Sequence, residues 1–354
     1  FFVGTYTGPE SKGIYLIRLD PKTGRLSDAT LAGQVKNPSF LNLHPTKPVL
    51  YAAMEIGDFN GQKAGGVAAF AIDPATLTLE PLNQQPSGGQ GPCYVAVDPT
   101  GRAALVANYG GCTVASLPVN GDGSLGAPAS VEQHTGSGPN AGRQKNPHAH
   151  SFVPAPGGKF ALAANLGNDS VFVYAIDPAT AKLTPATPPF VKAAPGAGPR
   201  HIAFAPDGRF VYVVNELNNT VCTYAWSADA GTLREVQTIT TLPADFAADN
   251  TTAEVAVHPS GRFVYASNRG HNSIAGFKVD PQNGTLISLG HWGTQGDTPR
   301  HFAIDPGGRF LVVANQRTNN LVAFRVDAET GMLEPTGSTA KVASPTCVRF
   351  LPAR

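Results

Sequence analysis

An all-β fold, a seven-bladed β-propeller, is predicted for this 354-residue chain by three observations: what the composition forbids, a turn signal that recurs seven times, and how the two ends complement each other. The 39 Gly and 31 Pro approach a fifth of all residues. Each interior Gly costs a helix about 1 kcal/mol and each Pro about 3, so many long helices are excluded. Pro followed by small or polar residues marks a tight turn at Pro45, Pro99, Pro156, Pro206, Pro259, Pro306 and Pro352. In five of these the string is Pro-x-Gly-Arg/Lys, as in Pro206-Asp207-Gly208-Arg209. Apolar runs flank it, His201 to Ala205 before and Phe210 to Val214 after, which reads as strand, turn, strand. A second signal ends in Leu after an Asp-Pro or Gly-containing turn, at Leu26, Leu79, Leu125, Leu183, Leu233, Leu286 and Leu333, and closes a second hairpin.

Seven units of roughly fifty residues and four strands apiece are the pattern of a propeller. A β-helix would repeat at much shorter intervals, and helical solenoids do not tolerate this Gly and Pro content. The ends supply the third observation: the segment from Pro345 to Pro352 is expected to complete the blade begun by Phe1 to Thr7 and so close the ring, with Arg354 a structural terminus. One domain over residues 1–354 therefore replaces the two that length alone suggests.

The composition also limits function. Hydrophobic residues, at 42%, are enough for a real core, while charged residues are only 14% and the net charge is +1. With no basic block, nucleic-acid binding through a phosphate-neutralising surface is disfavoured. No run of eighteen apolar residues exists, so no membrane span is expected. Cys93, Cys112, Cys222 and Cys347 show no Cys-x-x-Cys spacing and are too few for a disulfide scaffold. The chain opens on Phe1 rather than Met, so a segment ahead of it, a signal peptide included, is expected to lie out of view. A cytoplasmic monomer is the expectation, an exported or periplasmic protein the alternative.

Counting from each turn Pro locates the chemistry. Nine residues after it stand Met54, Asn108, Asn165, Asn215, Asn268 and Asn315. Six residues before it stand Ser39, Cys93, His150, Arg200, Ala253, Arg300 and Thr346. If the hairpin pivots just past the Pro, the two positions are cross-strand partners at its open end, and they ring one mouth of the channel. The recurrent Asn suits a strand terminus and its loop. The opposite column is uneven, with His150, Arg200 and Arg300 in blades four, five and seven; a purely structural slot would be filled alike everywhere. His201 and His301 follow the two arginines. One residue past the Asn column lie Glu55, Tyr109, Leu166, Glu216, Arg269 and Gln316.

Arg200, Arg269, Arg300, Glu216, His148 and His150 thus bring cations, a carboxylate and imidazoles to one mouth, which suits an anionic small molecule held by bidentate contacts. Glu216 reads equally well as a salt-bridge partner of the arginines. The Gly-rich insertion Gly136 to Asn146 is either a solvated loop or a cover that brings Arg143 and Lys145 over the mouth; a second insertion, Pro243 to Thr252, would form the opposite rim. His148-Ala149-His150 has a spacing that could suit a metal, but no carboxylate or Cys is tied to it by ligand spacing, so no metal site is expected. Neither a phosphate loop nor a Gly-x-Ser-x-Gly elbow is present.

Gly196-Ala197-Gly198-Pro199-Arg200-His201 with Val214-Asn215-Glu216-Leu217-Asn218 resembles the propeller-type 6-phosphogluconolactonases. So do Val3-Gly4-Thr5-Tyr6-Thr7, Gly138-Pro139-Asn140 with Arg143-Gln144, and Pro147-His148-Ala149-His150-Ser151, in order through all seven blades. The superfamily includes the 3-carboxymuconate cyclases, which form a lactone instead of opening one. The resemblance implies lactone chemistry on a small anionic substrate with no required cofactor. It also implies a catalytic set of His148 or His150, Arg200, Glu216 and Arg269. Arg143, His201, Asn215, Arg300, His301, Gln316 and Tyr6 are the expected substrate contacts. Met54 departs from the Asn of relatives and weakens the case for blade two. Two rival functions accompany this reading: a muconate-type cycloisomerase using the same arginines, and a non-catalytic propeller that binds a partner through exposed mouth aromatics, for which only Tyr6, Tyr94 and Tyr109 qualify.

Overall fold

The computed structural model describes residues 1–352, and in them the chain forms seven four-stranded antiparallel sheets with no α-helix. The inner strands are Pro38–Leu43, Pro92–Val97, Ala149–Pro154, Pro199–Phe204, Thr251–Val257, Pro299–Ile304 and Pro345–Arg349, and each packs beside the next around a ring. The last of them pairs with Phe2–Thr5 from the other end of the chain, Val3 facing Val348 and Gly4 facing Cys347. The ring is closed as the ends imply; Arg354 lies outside the described residues.

Local sequence accounts for the blades. Gly208 in the Pro206 turn has φ of 70°, a left-handed conformation that glycine adopts without a Cβ penalty, and Gly101, Gly158, Gly261 and Gly308 repeat it. Second strands such as Phe210–Asn215 and Ala103–Asn108 are buried at every position, because neighbouring blades cover both faces. The outer strand Lys182–Lys192 is mostly exposed instead. Tyrosines bridge blades: the hydroxyls of Tyr51, Tyr212 and Tyr265 donate to the carbonyls of Gly123, Gly284 and Gly331 in the following blade. Each such bond contributes about 1 kcal/mol net.

The register differs from simple counting. Pro199, not Arg200, faces Asn215, and His201 faces Val214, so Arg200 is an extra residue on the inner strand, a β-bulge. Ser39, Cys93, His150, Arg300 and Thr346 sit at the same irregularity in their blades, and Ala253–Glu254 in blade six. A bulge bends its strand and re-aims a side chain. The column of bulges, rather than a cross-strand pair, delivers the mouth residues.

Candidate active site

The recurrent asparagines build the scaffold around this column. Asn108, Asn268 and Asn315 donate to the carbonyls of Ser87, Thr241 and Thr294 in the loops entering their blades. Asn165 Oδ1 accepts the amide of His148. Asn215, expected to touch substrate, turns its amide to Thr220 Oγ1 within its own blade and is enclosed. It acts through its backbone: its carbonyl accepts Thr252 Oγ1, and the carbonyl of Thr252 accepts Arg269 Nη2.

Glu216, the residue after Asn215, is the centre of an arginine cage. Its Oε2 accepts Arg200 Nε at 2.8 Å and pairs with Arg269 Nη2 at 3.0 Å, while Oε1 accepts Arg143 Nη2 at 2.6 Å. Arg143 arrives on the Gly-rich insertion, which folds over the mouth. Gln144, fully buried, fastens that loop through Nε2 to Leu166 O and Asp169 Oδ1, and Asp169 in turn accepts the amides of Gly196 and Gly198 ahead of Arg200. Lys145 stays exposed and joins nothing at the mouth among the described residues. Burial alone would raise the Glu216 carboxyl, but Arg269, Arg200 and Arg143 outweigh it and hold it at about 2. Burial pulls Arg269 down to about 10 against the opposing pull of Glu216, which leaves it charged at neutral pH.

A second group faces the cage. Arg300 Nη2 donates to Tyr6 Oη at 2.9 Å, and Tyr6 donates to Glu55 Oε2 at 2.8 Å. Blade two therefore reaches the site despite Met54. Four guanidiniums (Arg143, Arg200, Arg269, Arg300) against two carboxylates (Glu216, Glu55) leave two net positive charges. Arg200 commits Nε to Glu216 and Nη1 to Ala253 O and His201, leaving Nη2 without a partner among the described residues.

His148 and His150 flank the cage on blade four. Tyr109 stacks on His148, with centroids 4.3 Å apart, and meets His150 edge-on. His148 Nδ1 lies 2.9 Å from Tyr109 O, so that nitrogen carries a proton, and in the neutral tautomer Nε2 is the acceptor. His150 is buried against Cys93 Sγ at 3.7 Å; burial first, then Arg200 and its other cationic neighbours, holds its ring well below the usual histidine range.

His201 and His301 lie one layer deeper, joined by Glu254. Tyr94 is also in that layer, buried and stacked on Phe40, so it is not an exposed aromatic of the mouth. Gln316 is half-buried; its backbone amide donates to Thr298 O, and its side chain makes no hydrogen bond among the described residues. The second insertion does form a rim: Asp249, Asn250 and Thr251 line a cavity of about 600 Å³ beside Arg269, with Asp297 and Arg317 across it. Glu55 and Tyr109 stand in the column past the Asn but outside the expected catalytic and substrate-contact sets, and Glu254 is not singled out at all. Glu254 stands in the column just after the bulge, where the His201 and His301 pattern could have revealed it.

A propeller mouth carrying an arginine cage and net positive charge is suited to a small anion. Residues 1–350 match the family described as "Lactonase, 7-bladed beta-propeller", and the chain belongs to that family. A 6-phosphogluconolactonase of Bacillus subtilis is 41% identical over 350 residues, 99% of this chain and 97% of that one. One of Formosa agariphila is 33% identical over 311 residues, 85% of each chain. The structure of the periplasmic gluconolactonase of Pseudomonas aeruginosa superposes with a TM-score of 0.93 at 36% identity, covering 99% of this chain and 98% of that one.

Proposed function

We propose that this protein hydrolyses a small anionic sugar lactone, 6-phosphogluconolactone foremost, to the open acid. The observation that carries the reading is the arginine cage, with donors left over for a ligand and two net positive charges to receive a phosphate dianion. Arg200 Nη2 polarises the lactone carbonyl, and Arg269 and Arg300 stand beside it; such preorganised donors are worth about 3–4 kcal/mol each. Glu216, held at about 2, is too weak a base for neutral pH, and it serves by keeping three guanidiniums in place. His148 Nε2 takes the proton of the attacking water. The tetrahedral intermediate then collapses with cleavage of the ring C–O bond, and the imidazolium returns its proton to the departing ring oxygen. His150 stays neutral beside them. Arg143 closes over the bound substrate, and Tyr6 sets the plane of Arg300. Gln316 borders the rim.

Initial-rate assays on 6-phosphogluconolactone, glucono-δ-lactone and 3-carboxymuconate test this. Fast opening of the phosphorylated lactone is expected; turnover of carboxymuconate alone would assign the cycloisomerase direction instead. No helix among the described residues is long and apolar enough to cross a membrane. We place the protein as a monomer in the cytoplasm, where the phosphorylated lactone arises. Recovery with periplasmic markers on cell fractionation, or a dimer mass by light scattering, would overturn that placement.

A further inference from the structure

Beneath the mouth, a buried carboxylate that the hydrolysis does not use joins two histidines across the channel. Glu254 Oε2 lies 2.8 Å from His201 Nδ1 and 3.1 Å from His301 Nε2, and Oε1 accepts the amide of Val255. The donor on the far side of each ring shows where its proton sits. The Val348 amide can only donate, and it meets His301 Nδ1 at 3.2 Å, so the His301 proton is on Nε2. Arg200 Nη1 can only donate, and it meets His201 Nε2 at 3.3 Å, so the His201 proton is on Nδ1. Both N–H groups point at the same oxygen. Burial holds His201 well below the usual histidine range and His301 at about 3, so each ring is neutral with one proton to place. The line from the closing strand to the cage is continuous: Val348, His301, Glu254, His201, Arg200, Glu216.

We propose that Glu254 is a positioning residue for the lactone reaction: by accepting both imidazole N–H bonds it locks His201 in the tautomer whose bare Nε2 anchors Arg200 Nη1, and so fixes the guanidinium plane. This rests on the reading of Arg200 as the carbonyl-polarising group. Without Glu254, His201 is free to carry its proton on Nε2. An N–H would then confront the N–H of Arg200 and turn the guanidinium away from the mouth. Arg200 Nη1 would keep only Ala253 O. Loss of the carboxylate behind a metal-bound imidazole costs about 10–100-fold, and a loss on that scale is expected for this imidazole behind a guanidinium.

The test pairs Glu254→Ala with Glu254→Gln. An amide oxygen at the place of Oε2 still accepts both imidazole bonds while its NH2 gives up the bond from the Val255 amide, so glutamine restores the imidazole contacts without the charge. We expect Glu254→Ala to lower kcat on 6-phosphogluconolactone by about 10–100-fold with KM changed less than about threefold, and Glu254→Gln to recover most of that rate. Nitrogen-15 spectra of histidine-labelled protein read the tautomers directly. In the unaltered protein His201 should be protonated on Nδ1 and His301 on Nε2, and in Glu254→Ala His201 should become a mixture. A kcat near normal in Glu254→Ala despite a lowered melting temperature would overturn the inference by making Glu254 merely structural. Equal loss in the two variants would overturn the tautomer lock in favour of charge. His201 protonated on Nε2 in the unaltered protein would overturn it outright. Because the spectra need no turnover, the lock is decided separately from the lactone reading.

Discussion

Replacing Glu216 by glutamine leaves three arginines facing one another without their counter-charge. The carboxylate is enclosed and meets Arg143, Arg200 and Arg269 at 2.6, 2.8 and 3.0 Å. Two routes give the cost. Removing one partner of a buried ion pair typically destabilises by about 3–5 kcal/mol, because the remaining charge is stranded. Alternatively, the carboxyl falls from an ordinary 4.5 to about 2 on folding, which at 1.36 kcal/mol per pH unit corresponds to roughly 3 kcal/mol. With an unfolding entropy near 2.1 cal/mol/K per residue over this chain, roughly 3 kcal/mol lowers the melting temperature by about 4 °C. The sign with pH follows: the folded value lies below the unfolded one, so the contribution is complete above about 4.5 and disappears as pH falls toward 2.

Scanning calorimetry of both proteins from pH 7 down to the acid limit of folding makes the comparison. The gap should be about 4 °C at pH 7 and narrow steadily below pH 4.5. Inorganic phosphate should narrow it at pH 7 as well, because guanidiniums without their carboxylate bind an anion more tightly than the paired ones do. Equal melting temperatures at pH 7, or a gap that widens in acid, would refute the assignment of Glu216 as the ionised centre of the cage.

Arg200→Lys keeps the charge but loses the planar fork, so it should lower kcat more than it raises KM; a raised KM with kcat kept would make Arg200 a phosphate grip instead. His148→Gln removes the base and should lower kcat by about 100-fold or more with KM little changed, measured at pH 7; a normal kcat would transfer the role elsewhere. Deleting the segment from Pro345 onward removes the strand that pairs with Phe2–Thr5 and exposes two strand edges, so the melting temperature should collapse. Activity is expected to survive exhaustive chelation; loss restored by Zn²⁺ would show that the chemistry needs a metal.

The sevenfold repeat is legible in the sequence because its signals are local: proline fixes one backbone angle, glycine permits a left-handed one, and neither depends on distant residues. Arg200 and Arg300 are legible because they break an otherwise bland column, and Glu216 and Arg269 because each follows the recurrent Asn at the same open end. The true partner of Asn215, Pro199 rather than Arg200, is not, since a bulge adds a residue without any mark in the local sequence, and counting assumes a regular ladder. The meaning of Asn215 is also hidden, because its type suits a loop amide and a ligand contact equally. That Glu216 is ringed by three guanidiniums emerges only when Arg143, far off in the chain, is seen on its second oxygen. Glu254 lies beside Ala253, and the uneven column ended at that alanine.

The bulge explains why one blade supplies two kinds of group to the same channel. In a regular strand successive side chains point to opposite faces, so either Arg200 or His201 would face the axis and the other would be buried between blades. The extra residue at Arg200 cancels that alternation. Arg200 reaches Glu216 at the mouth, while His201 turns across the axis to meet the rings of Phe40, Tyr94 and His150 from three other blades. Blade seven repeats the device with Arg300 at Tyr6 and His301 at Glu254. In these two blades an arginine of the mouth is followed on the same strand by an imidazole of the layer below, and in blade five that imidazole bonds it. A fold made of seven similar blades acquires a site by placing different residues at one irregularity they all share, and the layer below holds those residues still.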